Sequence, residues 1–223
     1  IKHAFVGKDE IVDLMGIALV ARENLFLYGP PGTAKTALVH ALARSLEARS
    51  FDYLLTRFTE PNEIFGPVDI AAFREGRYER RIEGMLPEAE IVFLDEVFKS
   101  NSAILNALLT LLNERRYTSG GRILRCPLLS AFGASNEVPA DESLTAIFDR
   151  FLLRIRSENL DAYHFQELLQ RGLKNEVLLM SDGPVRPLAT AAELGELHRS
   201  FATRLTFADD FLSSYKGLVF QIR

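Results

Sequence analysis

The sequence predicts an α/β fold in which helices flank both faces of a central parallel sheet, and three stretches support this prediction. Residues 25–28 form a short apolar run that stops at Gly29, before a glycine- and proline-rich loop and an alanine- and leucine-rich helical pattern. Residues 91–96 and 128–134 begin as continuous apolar runs, which are typical of strands buried on both sheet faces. Because strand and helix patterns alternate along the chain, we expect a parallel sheet.

Composition limits the class of protein. The chain has 223 residues, is 48% hydrophobic and 25% charged, and carries a net charge of -4. These values are ordinary for a soluble globular domain, and the net charge argues against a general nucleic-acid binder. Cys126 is the single cysteine, which excludes an internal disulfide and a cysteine zinc cluster and suits the cytoplasm. No apolar run is long enough to span a membrane.

The start and end of the chain indicate part of a longer protein. The first residue is Ile1 and not methionine, and the last residues belong to an amphipathic segment. Targeting signals could therefore lie outside this sequence.

Residues 29–36, GPPGTAKT, have the spacing of a Walker A phosphate loop. Backbone N–H groups of such a loop point inward at phosphate oxygens, and the following helix N-terminus adds a favourable dipole. Lys35 would reach the β- and γ-phosphates, and the Thr36 hydroxyl would ligate Mg²⁺. Ala34 departs from the strict pattern, which has glycine there. The predicted phosphate-contacting residues are Gly29, Pro30, Pro31, Gly32, Thr33, Ala34, Lys35 and Thr36.

Polar residues follow two of the apolar runs. Asp95 and Glu96 end the run at 91–96, where a parallel strand would direct them into a ligand crevice. Asp95 would hold Mg²⁺, and Glu96 would orient and polarise an attacking water. Asn136 follows the run at 128–134, and an amide there could hold a water and a γ-phosphate oxygen. Local sequence alone favours a plain turn asparagine over this role.

The remaining patterns predict further helices, strands and hairpins. Asn101 or Ser100 is expected to cap a helix that extends to Arg116. The helix after the phosphate loop is expected to bury Ala37, Leu38, Ala41, Leu42 and Leu46. Other predicted elements are a helix from residue 8 or 9 to about 22, a strand at 51–58, a helical piece at 63–65, a surface hairpin at about 66–87, a hairpin at about 117–127, a short helix within 140–146, a strand within 147–155, a helix at 159–173, a polar linker at 175–187, and helices at 190–203 and from 207.

Taken together, these segments resemble the AAA+ ATPases, and among them the MoxR family, with the RavA-type subgroup as the nearest likeness. The likeness covers most of residues 4–160 in the expected order. Its segments are GPPGTAKT at 29–36, TRFTEPNEIFGP at 56–67, GRYER at 76–80, LPEAEIVFLDE at 86–96, ILNALLTLLNER at 104–115, ASNE at 134–137 and FDRFLLR at 148–154.

This resemblance implies roles that residue spacing does not show. Asn136 takes the place of the sensor 1 residue, and Val6–Gly7 takes that of the segment against the adenine. Arg150 matches the arginine finger that acts on the nucleotide of a neighbouring subunit, with Arg154 as the second candidate. The corresponding sensor 2 arginine would come after Arg223.

The resemblance also implies an architecture and partners. Residues 1–160 would form a P-loop AAA+ core with two hairpin insertions, and residues 161–223 a linker and the start of a helical lid. The implied ligands are ATP and Mg²⁺. The implied assembly is a hexameric ring that remodels or activates client proteins together with a von Willebrand factor A (vWA) domain partner.

Two other functions are weighed against ATP-driven remodelling. One is a nucleotide-gated scaffold with little turnover, against which Glu96 argues. The other is a DNA-directed or chelatase-type AAA+ motor, for which arginines at 74–81, Arg122 and Arg125 could line a pore. Salt-dependent DNA binding would favour the DNA-directed motor.

Overall fold

A computed structural model of the chain describes residues 1–139, 142–160, 162–164, 166–169, 172 and 187–222. The strands are β1 (Leu25–Tyr28), β2 (Leu46–Glu47), β3 (Ser50–Leu54), β4 (Ile91–Asp95), β5 (Arg116–Ser119), β6 (Arg122–Arg125), β7 (Ser130–Ser135), β8 (Leu153–Arg156) and β9 (Ala189–Thr190). The helices are α1 (Asp9–Ala21), α2 (Lys35–Ser45), α3 (Pro61–Phe65), α4 (Ile70–Arg74), α5 (Ser102–Glu114), α6 (Glu142–Phe148), α7 (Ala191–Arg204) and α8 (Asp209–Ile222).

Five strands form the central sheet in the order β3-β4-β7-β1-β8, and every neighbouring pair is parallel. The central strands β4 and β7 are buried almost throughout, as their continuous apolar runs predict. This arrangement confirms the predicted α/β fold with a parallel sheet. All five strands therefore end at the same edge of the sheet, where the candidate site lies.

One apolar core lies on each face of the sheet, because successive strand residues point to opposite faces. Phe26 and Leu94 pack with α5 and Phe151 on one face. Leu27 and Phe132 pack with α1 and α2 on the other. The prediction for α2 was partly wrong: Ala37 is exposed, and Val39 and Ala43 are buried with Leu38 and Leu42.

β3 is shorter than the strand predicted at 51–58. Leu55 N still donates to Asp95 O at 2.9 Å, but the chain then turns. Thr56 N donates to Thr59 Oγ1 at 2.9 Å, and Phe58 N donates to Thr56 Oγ1 at 3.2 Å. These threonine hydroxyls compete with a sheet neighbour for the backbone donors, and so end the strand.

The predicted hairpin at 66–87 is wrong as a pair of strands. Asp69 Oδ1 accepts hydrogen bonds from Ala71 N at 2.8 Å and Ala72 N at 3.1 Å, and thereby starts α4 within this segment. A single antiparallel bridge, Val68 to Arg80, joins its two arms. The N-cap aspartate thus favours a helical turn over continued strand pairing.

The second predicted hairpin is confirmed, as β5 and β6 pair around Gly120–Gly121. It packs against the segment at 66–87. Arg80 N donates to Ser119 Oγ at 3.2 Å, and Arg122 pairs with Glu79 at 3.1 Å. The two insertions therefore form one contacting unit beside the sheet.

α7 packs back onto the core, and α8 lies on the surface. Thr190 and Glu193 form a capping box at the start of α7, and Leu194 is buried near α1. Phe207, just before α8, and every residue of α8 whose side chain is described are exposed. Of the helix predicted at 159–173, residues 162–164 form a 3-10 turn, and residues 166–169 and 172 are α-helical. Most of the linker predicted at 175–187 lies outside the described residues.

Among the described helices, none is long and apolar enough to cross a membrane.

Candidate nucleotide-binding site

The predicted phosphate loop, Asp95–Glu96 and Asn136 meet at the carboxyl edge of three adjacent strands. Tyr28 of β1 is in register with Ser135 of β7, and Gly29 N donates to Ser135 O at 3.1 Å. Leu94 of β4 is in register with Gly133 of β7. Adjacent strands lie about 4.8 Å apart. The phosphate loop, Asn136 and Asp95–Glu96 therefore follow β1, β7 and β4 side by side, with Asn136 between the other two.

The loop at 29–36 has the backbone of a phosphate cradle. Gly32 has φ +81 and Ala34 has φ +64, so both adopt the left-handed conformation. A Cβ on Gly29 would overlap the Ser157 carbonyl oxygen, which explains why glycine is needed there. Ala34 tolerates a conformation that costs about 1–2 kcal/mol for a residue with a side chain. Such local strain is commonly found at ligand-binding positions.

Lys35 is buried, and its ammonium is held inside the loop. Its Nζ donates to the carbonyl oxygens of Gly29 at 2.8 Å and Pro30 at 3.0 Å. Thr33 Oγ1 also donates to Pro30 O, at 3.0 Å. Thr36 is the second residue of α2 and is exposed. A compact cation at a helix N-terminus opposes the helix dipole, so its place there is best explained by an anionic ligand.

Ser157, which follows β8, braces the loop, and Lys8, at the start of α1, holds Ser157; local sequence reasoning did not identify either. Ser157 N donates to Tyr28 O at 2.6 Å, and Ser157 Oγ donates to Thr33 O at 3.2 Å. Lys8 Nζ donates to Ser157 Oγ at 3.2 Å and Glu158 O at 2.6 Å. Burial, and secondarily the nearby Lys35, lower the pKa of Lys8, while Glu158 opposes the shift. The partners lie about 150 residues apart, beyond any local motif.

Asp95 and Glu96 lie where the strand ends. Asp95 Oδ1 accepts a hydrogen bond from Glu96 N at 2.9 Å, and Glu96 has φ +52, in the left-handed region. Glu96 Oε2 is buried and accepts no hydrogen bond from the described residues, and it forms an ion pair with Lys99 Nζ at 3.3 Å. This strained backbone holds a carboxylate at the strand end with unused acceptor capacity.

Asn136 presents a second unused acceptor. Its Oδ1 is buried and, in the part of the chain that the structure describes, has no hydrogen-bond partner. Buried polar atoms without partners are rare and call for an explanation, such as a ligand or an unplaced water. The side-chain oxygens of Glu96 and Asn136, neither of which accepts a hydrogen bond from a described residue, follow neighbouring strands beside the phosphate loop. This donor set fits a bound triphosphate with a water and Mg²⁺.

The donor set for Mg²⁺ is small. Within the described residues, no group of three or more His, Cys, Asp or Glu side chains could hold a metal ion alone. P-loop proteins instead hold Mg²⁺ through one hydroxyl, one carboxylate, waters and the phosphates. Thr36 and Asp95 are the residues that would supply that hydroxyl and carboxylate.

A cavity of about 410 Å³ lies beside the loop, and this size suits a small ligand. Val6 is 4% exposed and lines it, as do Lys8 and the loop residues Gly32, Thr33 and Ala34. Gly7 lies next to this cavity, with φ +63, and a Cβ built on it would overlap Leu160 Cδ2. Val6 is thus placed where a base could stack beyond the phosphates.

Arg150 lies at the opposite edge of the sheet from the phosphate loop. Its carbonyl oxygen accepts a hydrogen bond from Asn24 Nδ2 at 2.8 Å, immediately before β1 begins. The loop follows β1, and four strand residues span about 13 Å. The Arg150 side chain is exposed and, among the described residues, has no hydrogen-bond or ion-pair partner. It does not join the other site residues of its own chain.

Arg154 is held by its own chain. Its Nε donates to Phe151 O at 3.0 Å, and its guanidinium lies 3.9 Å from the centre of the Phe148 ring. One NH2 also pairs with Asp149 at 3.1 Å. These contacts leave Arg150 as the freer of the two arginines.

Asn24 is the buried polar residue that joins these elements. Its Oδ1 accepts hydrogen bonds from Arg115 at 3.0 Å and Ala131 N at 3.1 Å. Together with the bond to Arg150 O, these contacts connect β1, β7, α5 and the turn before β8. Sequence reasoning did not identify Asn24, because nothing in its neighbourhood distinguishes it from a loop residue.

The fold and the candidate site together define a P-loop protein of the α/β class, with polar residues at the ends of adjacent strands. Comparisons with known proteins identify its family. Residues 1–198 match the family model described as the MoxR domain in MoxR-vWA-beta-propeller ternary systems. The chain thus belongs to the MoxR family of AAA+ ATPases.

Similar proteins agree with this family. An uncharacterised protein of Methanocaldococcus jannaschii is 48% identical over 151 residues, covering 67% of this chain and 40% of that protein. Chaperone MoxR1 of Mycobacterium tuberculosis is 29% identical over 159 residues, covering 70% of this chain and 41% of that protein. The chain thus spans about two fifths of the length of these curated relatives.

The fold agrees with a solved structure. A candidate ATPase from Cytophaga hutchinsonii superposes with a TM-score of 0.77, at 22% identity, covering 99% of this chain and 66% of that chain. At this identity the match supports the AAA+ fold.

Proposed function

We propose that this protein hydrolyses Mg-ATP at the interfaces of a subunit ring and uses the energy to remodel or activate partner proteins. The observation that supports this most strongly is the convergence of three features at one sheet edge. These are the buried Lys35 ammonium in a phosphate-type loop, the buried Glu96 Oε2, whose one described partner is the ion pair with Lys99, and Asn136 Oδ1, which has no hydrogen-bond partner among the described residues.

In this proposal each residue has one task. The loop N–H groups and Lys35 hold the phosphates, for which Lys35 would exchange its bonds to Gly29 O and Pro30 O. Glu96 accepts a proton from, or orients, the attacking water. Asn136 holds that water or a γ-phosphate oxygen. Mg²⁺ held by Thr36 and Asp95 would neutralise charge on the β- and γ-phosphates. Val6 and Gly7 would lie against the adenine.

Arg150 would act on the nucleotide of a neighbouring subunit. Within its own chain it lies at the wrong edge of the sheet, and no described residue engages its guanidinium, whereas Arg154 is held by Phe148, Asp149 and Phe151. An arginine finger supplied in trans is worth about 10³-fold or more in rate. A hexameric ring would provide such a neighbour for every site.

The partner proposal follows the family description. That description joins the MoxR domain with vWA and beta-propeller proteins, so a vWA domain protein is the partner that we propose. The RavA-type likeness, a lid built from residues 161–223, a protein client and a cytoplasmic location remain predictions.

The DNA-directed motor receives less support, because much of the basic segment is neutralised locally. Arg77 pairs with Glu75 at 2.6 Å and with Glu79 at 2.8 Å. Arg81 pairs with Asp69 at 3.5 Å, and Arg122 with Glu79 at 3.1 Å. Paired guanidinium groups attract a phosphate backbone weakly.

Two substitutions test the proposal together. Glu96→Gln should keep ATP binding and reduce turnover by about 10²–10⁴-fold, because the amide cannot accept the water's proton. Lys35→Ala should weaken ATP binding about tenfold or more, through loss of charge-assisted hydrogen bonds. Binding would be measured by calorimetry and turnover by phosphate release.

Glu10→Gln is the matched control, since Glu10 is an exposed carboxylate in the first turn of α1. Turnover by Glu96→Gln at the wild-type rate would show that the base is wrongly assigned. Tight ATP binding with no turnover by the wild-type protein would favour the nucleotide-gated scaffold.

A further inference from the structure

A second pocket, rich in arginine, lies at the amino-terminal edge of the sheet. Its volume is about 730 Å³. Arg22 and Arg115 lie at the C-termini of α1 and α5, Arg125 ends β6, and Arg199 lies on α7. This edge is opposite the phosphate loop, because Arg22 precedes β1 and the loop follows it.

The pocket carries excess positive charge within a negatively charged chain. Four arginines line it against two carboxylates, those of Glu23 and Glu114. Glu114 is also engaged by Arg116, which lies 3.9 Å away. The lining therefore keeps a net charge of about two positive units, whereas the net charge of the whole chain is -4.

Much of the donor capacity of these arginines is unused. Arg22 donates from NH2 to Leu128 O at 3.1 Å, but its Nε is buried and has no hydrogen-bond partner. Arg125 and Arg199 are exposed and, within the described part of the chain, none of the hydrogen bonds or ion pairs involves their guanidinium groups. Guanidinium forks with free N–H groups suit the paired oxygens of phosphate or carboxylate.

Arg115 differs from the other three arginines because its guanidinium is largely buried and hydrogen-bonded within the fold. It donates to Asn24 Oδ1 at 3.0 Å and Arg22 O at 2.9 Å. Burial and then repulsion from Arg22 lower its pKa to about 10, so it stays charged at neutral pH. A bound anion would offset both causes.

Two backbone features support a role for these side chains. Arg22 has φ +56 and Arg115 has φ +54, at helix ends where glycine is the usual residue. A residue with a side chain costs about 1–2 kcal/mol more than glycine in this conformation. Two helices that end beside the same pocket thus both carry arginine despite that cost.

We propose that this pocket is a second anion site, separate from the phosphate loop, that binds a small phosphate-bearing molecule. Its volume lies in the range of small-molecule sites, and its charges converge from four separate elements. The proposal is independent of ATP hydrolysis at the carboxyl edge.

Inorganic pyrophosphate is the probe, titrated calorimetrically at low salt without divalent metal. The full-length protein would carry Lys35→Ala, which removes the competing site in the phosphate loop. We expect saturable binding of one pyrophosphate per chain, weakened by added salt. Arg125→Ala and Arg199→Ala should each weaken it about tenfold. Both residues are exposed, so thermal unfolding should show intact folds.

Arg44→Ala is the matched control, because Arg44 is an exposed arginine in the last turn of α2, away from the pocket. It should leave pyrophosphate binding unchanged. The proposal is overturned if no saturable binding occurs, or if Arg44→Ala weakens binding as much as Arg125→Ala does. Tighter binding of the tricarboxylate citrate than of pyrophosphate would also overturn it, and would assign the pocket to carboxylates.

Discussion

Some residues at the candidate nucleotide site are defined by their neighbours in sequence, whereas others are defined by hydrogen-bond partners far away in sequence. Lys35, Thr36, Asp95 and Glu96 could be predicted because each belongs to a short pattern whose neighbours define its place. Asn136 needed the family resemblance, since an asparagine after a strand is also a common turn residue. Lys8, Asn24 and Ser157 could not be predicted, because their hydrogen bonds reach residues more than 85 positions away.

The buried thiol of Cys126 should make the free energy of unfolding decrease as the pH rises in the alkaline range. Burial raises its pKa from 9.0 to about 11, and Arg115 only partly offsets this. Because the pKa of this thiol is higher in the folded protein than in the unfolded chain, the protonated thiol contributes its full stability below about pH 9. That contribution is lost as the pH rises toward 11. The loss is at most about 2–3 kcal/mol, for a shift of this size.

Denaturant unfolding of the wild type and Cys126→Ala, between pH 8 and 11, would measure this effect. The stability advantage of the wild type over the variant should shrink across that interval, since other titrating groups are common to both proteins. An advantage that stays constant with pH would contradict the raised pKa of Cys126.

Helices and strands with a strong apolar period were predicted, and those shaped by side-chain bonds to the backbone were not. α1, α5 and β4 follow their apolar patterns closely. The early end of β3 depends on Thr56 and Thr59, and α4 depends on Asp69. Short polar residues of this kind change a local preference without changing the hydrophobic pattern.

The contact between the two insertions depends on a close backbone approach. A Cβ on Gly120 would overlap the Tyr78 carbonyl oxygen, whereas one on Gly121 would meet no atom within 4 Å. Both glycines have positive φ, of +57 and +78 respectively. Alanine therefore costs about 1–2 kcal/mol of backbone strain at either position. Only at Gly120 would the added methyl group also push the two insertions apart.

We expect Gly120→Ala to lower the free energy of unfolding by about 2 kcal/mol more than Gly121→Ala does. Equilibrium unfolding would measure the difference, and hydrogen exchange would follow the Arg80 amide, which donates to Ser119 Oγ at 3.2 Å. Equal losses in the two variants, with the Arg80 amide equally protected, would show that this packing is not stabilising.

The order of the strands, and with it the placement of residues at the two edges of the sheet, is determined by contacts across the whole molecule. Alternating patterns predicted a parallel sheet, but the order β3-β4-β7-β1-β8 depends on contacts that one sequence does not reveal. This order places Asn136 between the phosphate loop and Glu96. It also places Arg150 beside Asn24 at the far edge, where it cannot serve its own nucleotide site.

We therefore propose that ATP hydrolysis by one subunit depends on a neighbouring subunit. A site that lacks a finger in its own chain should work only when a second subunit supplies Arg150. Activity per subunit should then rise with protein concentration as the ring assembles.

The most direct measurement is the ATPase rate per subunit against the concentration of the full-length protein, repeated with Arg150→Ala protein titrated into wild type. We predict a rate that climbs with concentration and that falls more steeply than simple dilution as the variant is added, because mixed rings lose fingers. Arg154→Ala serves as the comparison variant, since Arg154 is engaged within its own chain. A rate that is flat with concentration and insensitive to Arg150→Ala would contradict hydrolysis at subunit interfaces.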